Sequence, residues 1–183
     1  MRILVLGGVR SGKSALAEEM ARRLQQAEGL SVTYVATARR SDAEMEARIR
    51  THRARRPADW STLEAGGEDP DELPRMLEEI TPESSIVLLD CLSLWVATAV
   101  TAGGREAVFR GRVTRLLTAL RRGPRHAVVV SLEAGMSLLP LEPLGREFLD
   151  RLGDANQAFA QAADHVAFAV AGIALPIKGG ELP

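Results

Sequence analysis

Eight residues near the start of the chain, Gly7-Gly8-Val9-Arg10-Ser11-Gly12-Lys13-Ser14, fit the pattern G-x-x-x-x-G-K-[ST]. Each fixed position answers a need of phosphate binding. Glycine at 7 and 12 lets the backbone turn tightly enough to aim successive N–H groups at phosphate oxygens. Lys13 supplies a point charge for the terminal phosphates, which makes it a catalytic as well as a binding candidate, and the Ser14 hydroxyl is a ligand for Mg²⁺. A helix starting near Lys13 would add its positive N-terminal dipole. Asp90 closes the apolar run 86–89, and an acidic residue at the end of a buried strand is the natural second half of such a metal site.

A second constellation lies at 48–57, where Arg48, Arg50, Arg53, Arg55 and Arg56 surround His52. At helical spacing Glu44, Arg48, His52 and Arg56 share a face. One reading is a solvated helix laced with Glu–Arg pairs. The other is chemical: like charge disfavours the imidazolium, so the ring stays neutral at pH 7 and is a nucleophile. The surrounding guanidiniums would then offset charge on an attacked phosphate. The other two histidines, His126 and His165, sit beside apolar strands, where packing accounts for them.

The elements that must position these groups are legible as an alternation. Apolar runs at 3–6, 32–36, 86–89, 127–130, 166–170 and 175–177 read as strands. Helical patterning covers 14–26, about 42–55, 71–80, 107–120 and 144–163. The alternation predicts an α/β fold of the P-loop NTPase kind, a mainly parallel sheet with helices on both faces, as one nucleotide-binding domain over 1–183. The chain has 183 residues, 46% hydrophobic and 26% charged, with a net charge of −1. That near-balance argues against a nucleic-acid partner held by bulk charge. Cys91 is the one cysteine, so neither a disulfide framework nor a cysteine metal cage is available, and a reducing cytoplasm is the expected location. The N-terminal apolar run is too short for a signal peptide, and no run approaches the roughly 18 apolar residues of a membrane span. Of the 23 basic residues only Lys13 and Lys178 are lysine, which suggests lysine is kept where the ammonium itself is needed.

Together with the phosphate loop, three further stretches carry a family resemblance. They are Tyr34-Val35-Ala36-Thr37-Ala38, the run Arg48-Ile49-x-x-His52-Arg53-x-x-Arg56-Pro57-x-x-Trp60-x-Thr62-x-Glu64, and Leu88-Leu89-Asp90-Cys91-Leu92. Further along come Glu133-x-Gly135, Phe148-x-Asp150-x-x-Gly153-x-x-Asn156-Gln157 and Ala171-Gly172. The chain resembles the bifunctional adenosylcobinamide kinase / adenosylcobinamide-phosphate guanylyltransferase family of cobalamin biosynthesis. That resemblance implies a RecA-like sheet in a homotrimer, with Mg²⁺ and with GTP and ATP as substrates. The corinoid partner, adenosylcobinamide, would be phosphorylated and then receive GMP through a GMP–histidine intermediate at the position of His52. It also implies nucleotide contacts from the loop, Thr37, Ala38, Arg39, Arg55, Arg56, Pro57, Ala58, Glu64 and Asp90. The chain departs from the family pattern at Leu132, Ser137 and Leu149. Two other readings are a P-loop small-molecule kinase without guanylyl transfer and a RecA-like nucleic-acid-binding ATPase. Two Trp and one Tyr leave little to stack bases in the latter.

Overall fold

A computed structural model describes residues 1–39, 43–54, 56–80, 85–136 and 138–183; for 44, 45, 48 and 52 it describes the backbone only. The expected helix start at Asp42, and also Arg55 and Ser137, lie outside the described residues. Strand β1 (Arg2–Gly7) is buried at every position beyond Arg2. It lies centrally in a parallel sheet, and a strand covered on both faces reads as a continuous apolar run. The chain continues through α1 (Lys13–Glu28), β2 (Ser31–Ala36), α2 (Ala43–Ala54), β3 (Ser61–Glu64), α3 (Glu72–Glu78) and β4 (Ser85–Asp90). Then follow α4 (Leu92–Thr101), α5 (Glu106–Arg122), β5 (His126–Leu132), α6 (Pro143–Ala162), β6 (His165–Val170) and β7 (Ile173–Lys178).

The seven strands form one sheet in the order β3-β2-β4-β5-β1-β6-β7. All neighbours pair in parallel except β6 and β7, which form an antiparallel hairpin. Successive residues of β1 face opposite sides, as the strand period of two requires. Ile3 and Val5 join a core with Ala17, Met20 and Leu24 of α1, while Leu4 and Leu6 join one with Trp95, Leu116 and Phe159 of α4, α5 and α6. The sheet is therefore covered on both faces, as expected.

Two elements escape the sequence pattern. Helix α4 is apolar nearly all round and packs against both α6 and β5, so it has no polar stripe to betray it. Strand β3 is a four-residue edge strand, partly exposed along its length. One expectation is corrected: α2 ends at Ala54, so Arg56 does not continue the Glu44, Arg48, His52 face. Pro57 follows Arg56 and disfavours helical backbone there. The Lys178 ammonium donates to the carbonyls of Ala160 and Gln161 (2.9 and 3.0 Å) at the end of α6. No described helix is long and apolar enough to cross a membrane.

Candidate active site

The phosphate loop runs from the end of β1 to the start of α1. At Gly7 a Cβ would lie 2.5 Å from Ser11 Oγ and 2.7 Å from the Ala169 carbonyl, so any side chain is excluded. Gly12 has φ 89°, and a Cβ there would lie 2.9 Å from Gly172 Cα. Arg10 also takes positive φ, at 57°. The β6–β7 turn, Ala171 and Gly172, supports the loop from outside, with the Gly172 N–H donating to the Ser11 carbonyl at 2.9 Å. The N-cap residue of α1 is Gly12, which has no side chain to cap the helix, and this leaves first-turn N–H groups for an anion. Lys13 reaches back over the loop, its Nζ donating to the Gly8 carbonyl at 3.1 Å. Ser11 Oγ is buried and has no hydrogen-bond partner among the described residues, a polar group disposed for a ligand.

Across β5 from this loop stands Asp90, at the end of β4. Ser14 Oγ donates to Asp90 Oδ1 at 3.3 Å, and the Tyr34 hydroxyl donates to Asp90 Oδ2 at 2.5 Å. Burial, and then the Asp90 carboxylate, hold the Tyr34 phenol protonated far above its ordinary range. Thr37 Oγ1 accepts from the Cys91 N–H (2.8 Å) and donates to the Cys91 carbonyl (2.7 Å), tying the end of β2 to the start of α4. Desolvation and the Asp90 charge push the Cys91 thiol up to about 11, so it is no nucleophile at neutral pH. Among the described residues no three His, Cys, Asp or Glu side chains gather as a metal cage. A hydroxyl and a carboxylate beside a phosphate loop nonetheless suit Mg²⁺, which takes one or two protein ligands and completes its shell with phosphate and water.

Arg56 joins this group through Tyr34. Its guanidinium carbon lies 3.5 Å from the Tyr34 ring centroid, and its Nη1 donates to Thr62 Oγ1 at 3.3 Å. Such a stack contributes about 1–2 kcal/mol when desolvated. The Arg56 Nε is buried without a partner among the described residues. Glu64 lies 3.9 Å from Arg53. Ala38 packs its backbone close to Gly66. Arg39 turns to Glu68, 2.6 Å away. The Pro57 carbonyl accepts from the Trp60 N–H, and Asp59, next to the exposed Ala58, accepts from Gln25 Nε2 at 2.8 Å. Gln25 lies roughly 18 Å along α1 from the loop, at 1.5 Å per residue. The structure thus brings together residues 7–14, Thr37, Asp90 and, through Tyr34, Arg56. Arg39 is paired with Glu68, and Ala58 is exposed beside Asp59. His52 lies in α2, but its side chain, like the whole of Arg55, is outside the described residues. Tyr34 is what residue-level reasoning missed; the signal available was that the single tyrosine of the chain stands inside a strand.

A phosphate loop between a central parallel strand and a helix, faced by a strand-end carboxylate, defines a P-loop nucleotide-binding protein of RecA-like fold. The chain superposes on flagellar accessory protein FlaH from Methanocaldococcus jannaschii with a TM-score of 0.54 at 13% identity, covering 100% of this chain and 81% of that one.

Residues 3–177 match the family described as cobinamide kinase / cobinamide phosphate guanyltransferase, and the chain belongs to that family. It is 41% identical over 182 residues to the bifunctional adenosylcobalamin biosynthesis protein CobP of Pseudomonas aeruginosa, covering 100% of both chains. It is 36% identical over 190 residues to the bifunctional adenosylcobalamin biosynthesis protein CobU of Escherichia coli, covering 97% of this chain and 100% of that one. The activity is therefore that of a cobinamide kinase and cobinamide-phosphate guanylyltransferase of cobalamin biosynthesis. This decides against the kinase without guanylyl transfer.

Proposed function

We propose that the chain phosphorylates adenosylcobinamide with ATP or GTP and then moves GMP from GTP onto that phosphate through a covalent intermediate on His52. The phosphate loop holds the triphosphate with its N–H groups and the α1 dipole, and Lys13 stabilises charge on the phosphoryl group in transfer. Ser14 and Asp90 hold Mg²⁺, which supplies charge neutralisation on the phosphate oxygens. In guanylyl transfer the His52 ring nitrogen bonds to the α-phosphorus as pyrophosphate leaves, and the corinoid phosphate then displaces the histidine. The observation that carries this reading is the anchorage of Arg56, four residues beyond His52, on the tyrosine that holds Asp90. It ties the segment that follows α2 to the phosphate site, which supports a role for His52 there.

Thr37, Ala38, Pro57 and Glu64 are proposed to border the nucleotide with Arg56. Arg39, Arg55 and Ala58 stay in the proposal on the family resemblance. The 183 residues act as one nucleotide-binding unit in the cytoplasm, assembled as a homotrimer. The exposed apolar side chains Ile173, Leu175 and Ile177 along the edge strand β7 supply surface that self-association would cover.

The test is incubation with α-labelled GTP and Mg²⁺ followed by denaturing electrophoresis. A phosphoramidate adduct survives base and hydroxylamine and hydrolyses in mild acid. His52→Asn and His52→Ala should lose both the label and the GDP-linked product while kinase turnover persists at least in part. Label retained on His52→Ala, or an acid-stable adduct elsewhere, would overturn the assignment.

A further inference from the structure

Tyr34 is 2% exposed and sits in β2 among apolar neighbours. A buried hydroxyl costs free energy unless it is bonded, and phenylalanine would fill the same space without that cost. The hydroxyl's partner is Asp90 Oδ2, at 2.5 Å. The other carboxylate oxygen, Oδ1, is the one 3.3 Å from Ser14 Oγ. A carboxylate on a single-bond pivot turns freely unless one oxygen is pinned, and pinning Oδ2 fixes the plane in which Oδ1 meets Ser14. The ring of the same side chain carries Arg56 on its face at 3.5 Å. Thr62, which accepts from Arg56, is the residue opposite Tyr34 in the β2–β3 ladder, so the guanidinium is clasped at one level of the sheet.

We infer that Tyr34 is a positioning residue for the metal-dependent chemistry: its hydroxyl orients the Asp90 carboxylate beside Ser14, and its ring seats Arg56. One buried side chain thereby sets the phosphate site against the segment that follows His52. The inference rests on the reading of Ser14 and Asp90 as the Mg²⁺ pair.

The two roles separate by substitution. Tyr34→Phe keeps the ring and removes the hydroxyl. GTP binding measured calorimetrically in EDTA should stay at the wild-type value, while the affinity gained on adding Mg²⁺ falls about tenfold, the scale of losing an outer-shell partner. The Mg²⁺ concentration for half-maximal labelling of His52 should rise by a similar factor, with the rate at saturating Mg²⁺ unchanged. Arg56→Lys keeps the charge and removes the planar stack; labelling should slow at saturating Mg²⁺ with the Mg²⁺ requirement unaltered. Wild-type Mg²⁺ dependence in a folded Tyr34→Phe protein, against its loss in Asp90→Asn, overturns the role of the hydroxyl alone. Wild-type Mg²⁺ dependence in both variants overturns the metal reading itself. Wild-type labelling in Arg56→Lys overturns the role of the ring.

Discussion

Lys13 and Ser14 are adjacent at the start of α1 yet address different partners, the Gly8 carbonyl and the Asp90 carboxylate. One side chain closes over the loop and the other points across the sheet, a division of labour that the proposed triphosphate and its cation would require. Lys13→Ala should weaken GTP binding by about 2–3 kcal/mol, the scale of a charged hydrogen bond, with the melting temperature nearly unchanged. Calorimetry that finds unaltered affinity in the folded variant would count against the loop assignment. These residues were legible because each answers a geometric need that few other residue types meet. Tyr34 was not, because its value comes from Asp90 on the neighbouring strand and from Arg56 beyond α2. Neither proximity has a local sequence signature. The Glu44-to-Arg56 face failed for a local reason, since Pro57 outweighs the helical spacing.

Among the elements, the strand–helix alternation was readable wherever an apolar stripe met a polar one, as in α1, α5 and α6. It failed at α4, which is buried too completely to show a stripe, and at β3, which is too short. The β6–β7 hairpin was readable as two closing strands, but not as the support of the phosphate loop, because backbone-to-backbone contact leaves only glycines in the sequence. That support makes the glycines unequal. Gly7→Ala places a methyl group against Ser11 Oγ and the Ala169 carbonyl. The expected cost is ~2 kcal/mol from overpacking, a fall in melting temperature of roughly 4–8 °C, with weaker GTP binding. Gly8→Ala meets nothing within 4 Å among the described residues and should melt close to the wild type. Equal melting of the two variants, read by circular dichroism, would contradict the packing described for the loop.

For the whole molecule, light scattering at micromolar concentration should return about three times the 19.7 kDa chain mass. A monomer there would count against the proposed trimer. Replacing Ile173 and Ile177 by lysine should shift the mass downward if β7 lies in the interface, and leave it unchanged if the contact is elsewhere. The strand order also orders events during synthesis. The phosphate loop leaves the ribosome before its supports do, since β1 lies between β5 and β6, and the loop rests on Gly172. At about 5–20 residues per second the glycine-rich loop waits roughly ten to thirty seconds for its supports. A ligand that binds only the finished fold stabilises only that fold. A chain that still lacks β5, β6 and β7, though it already carries every residue of the phosphate motif, is therefore expected to bind GTP more weakly than the finished fold.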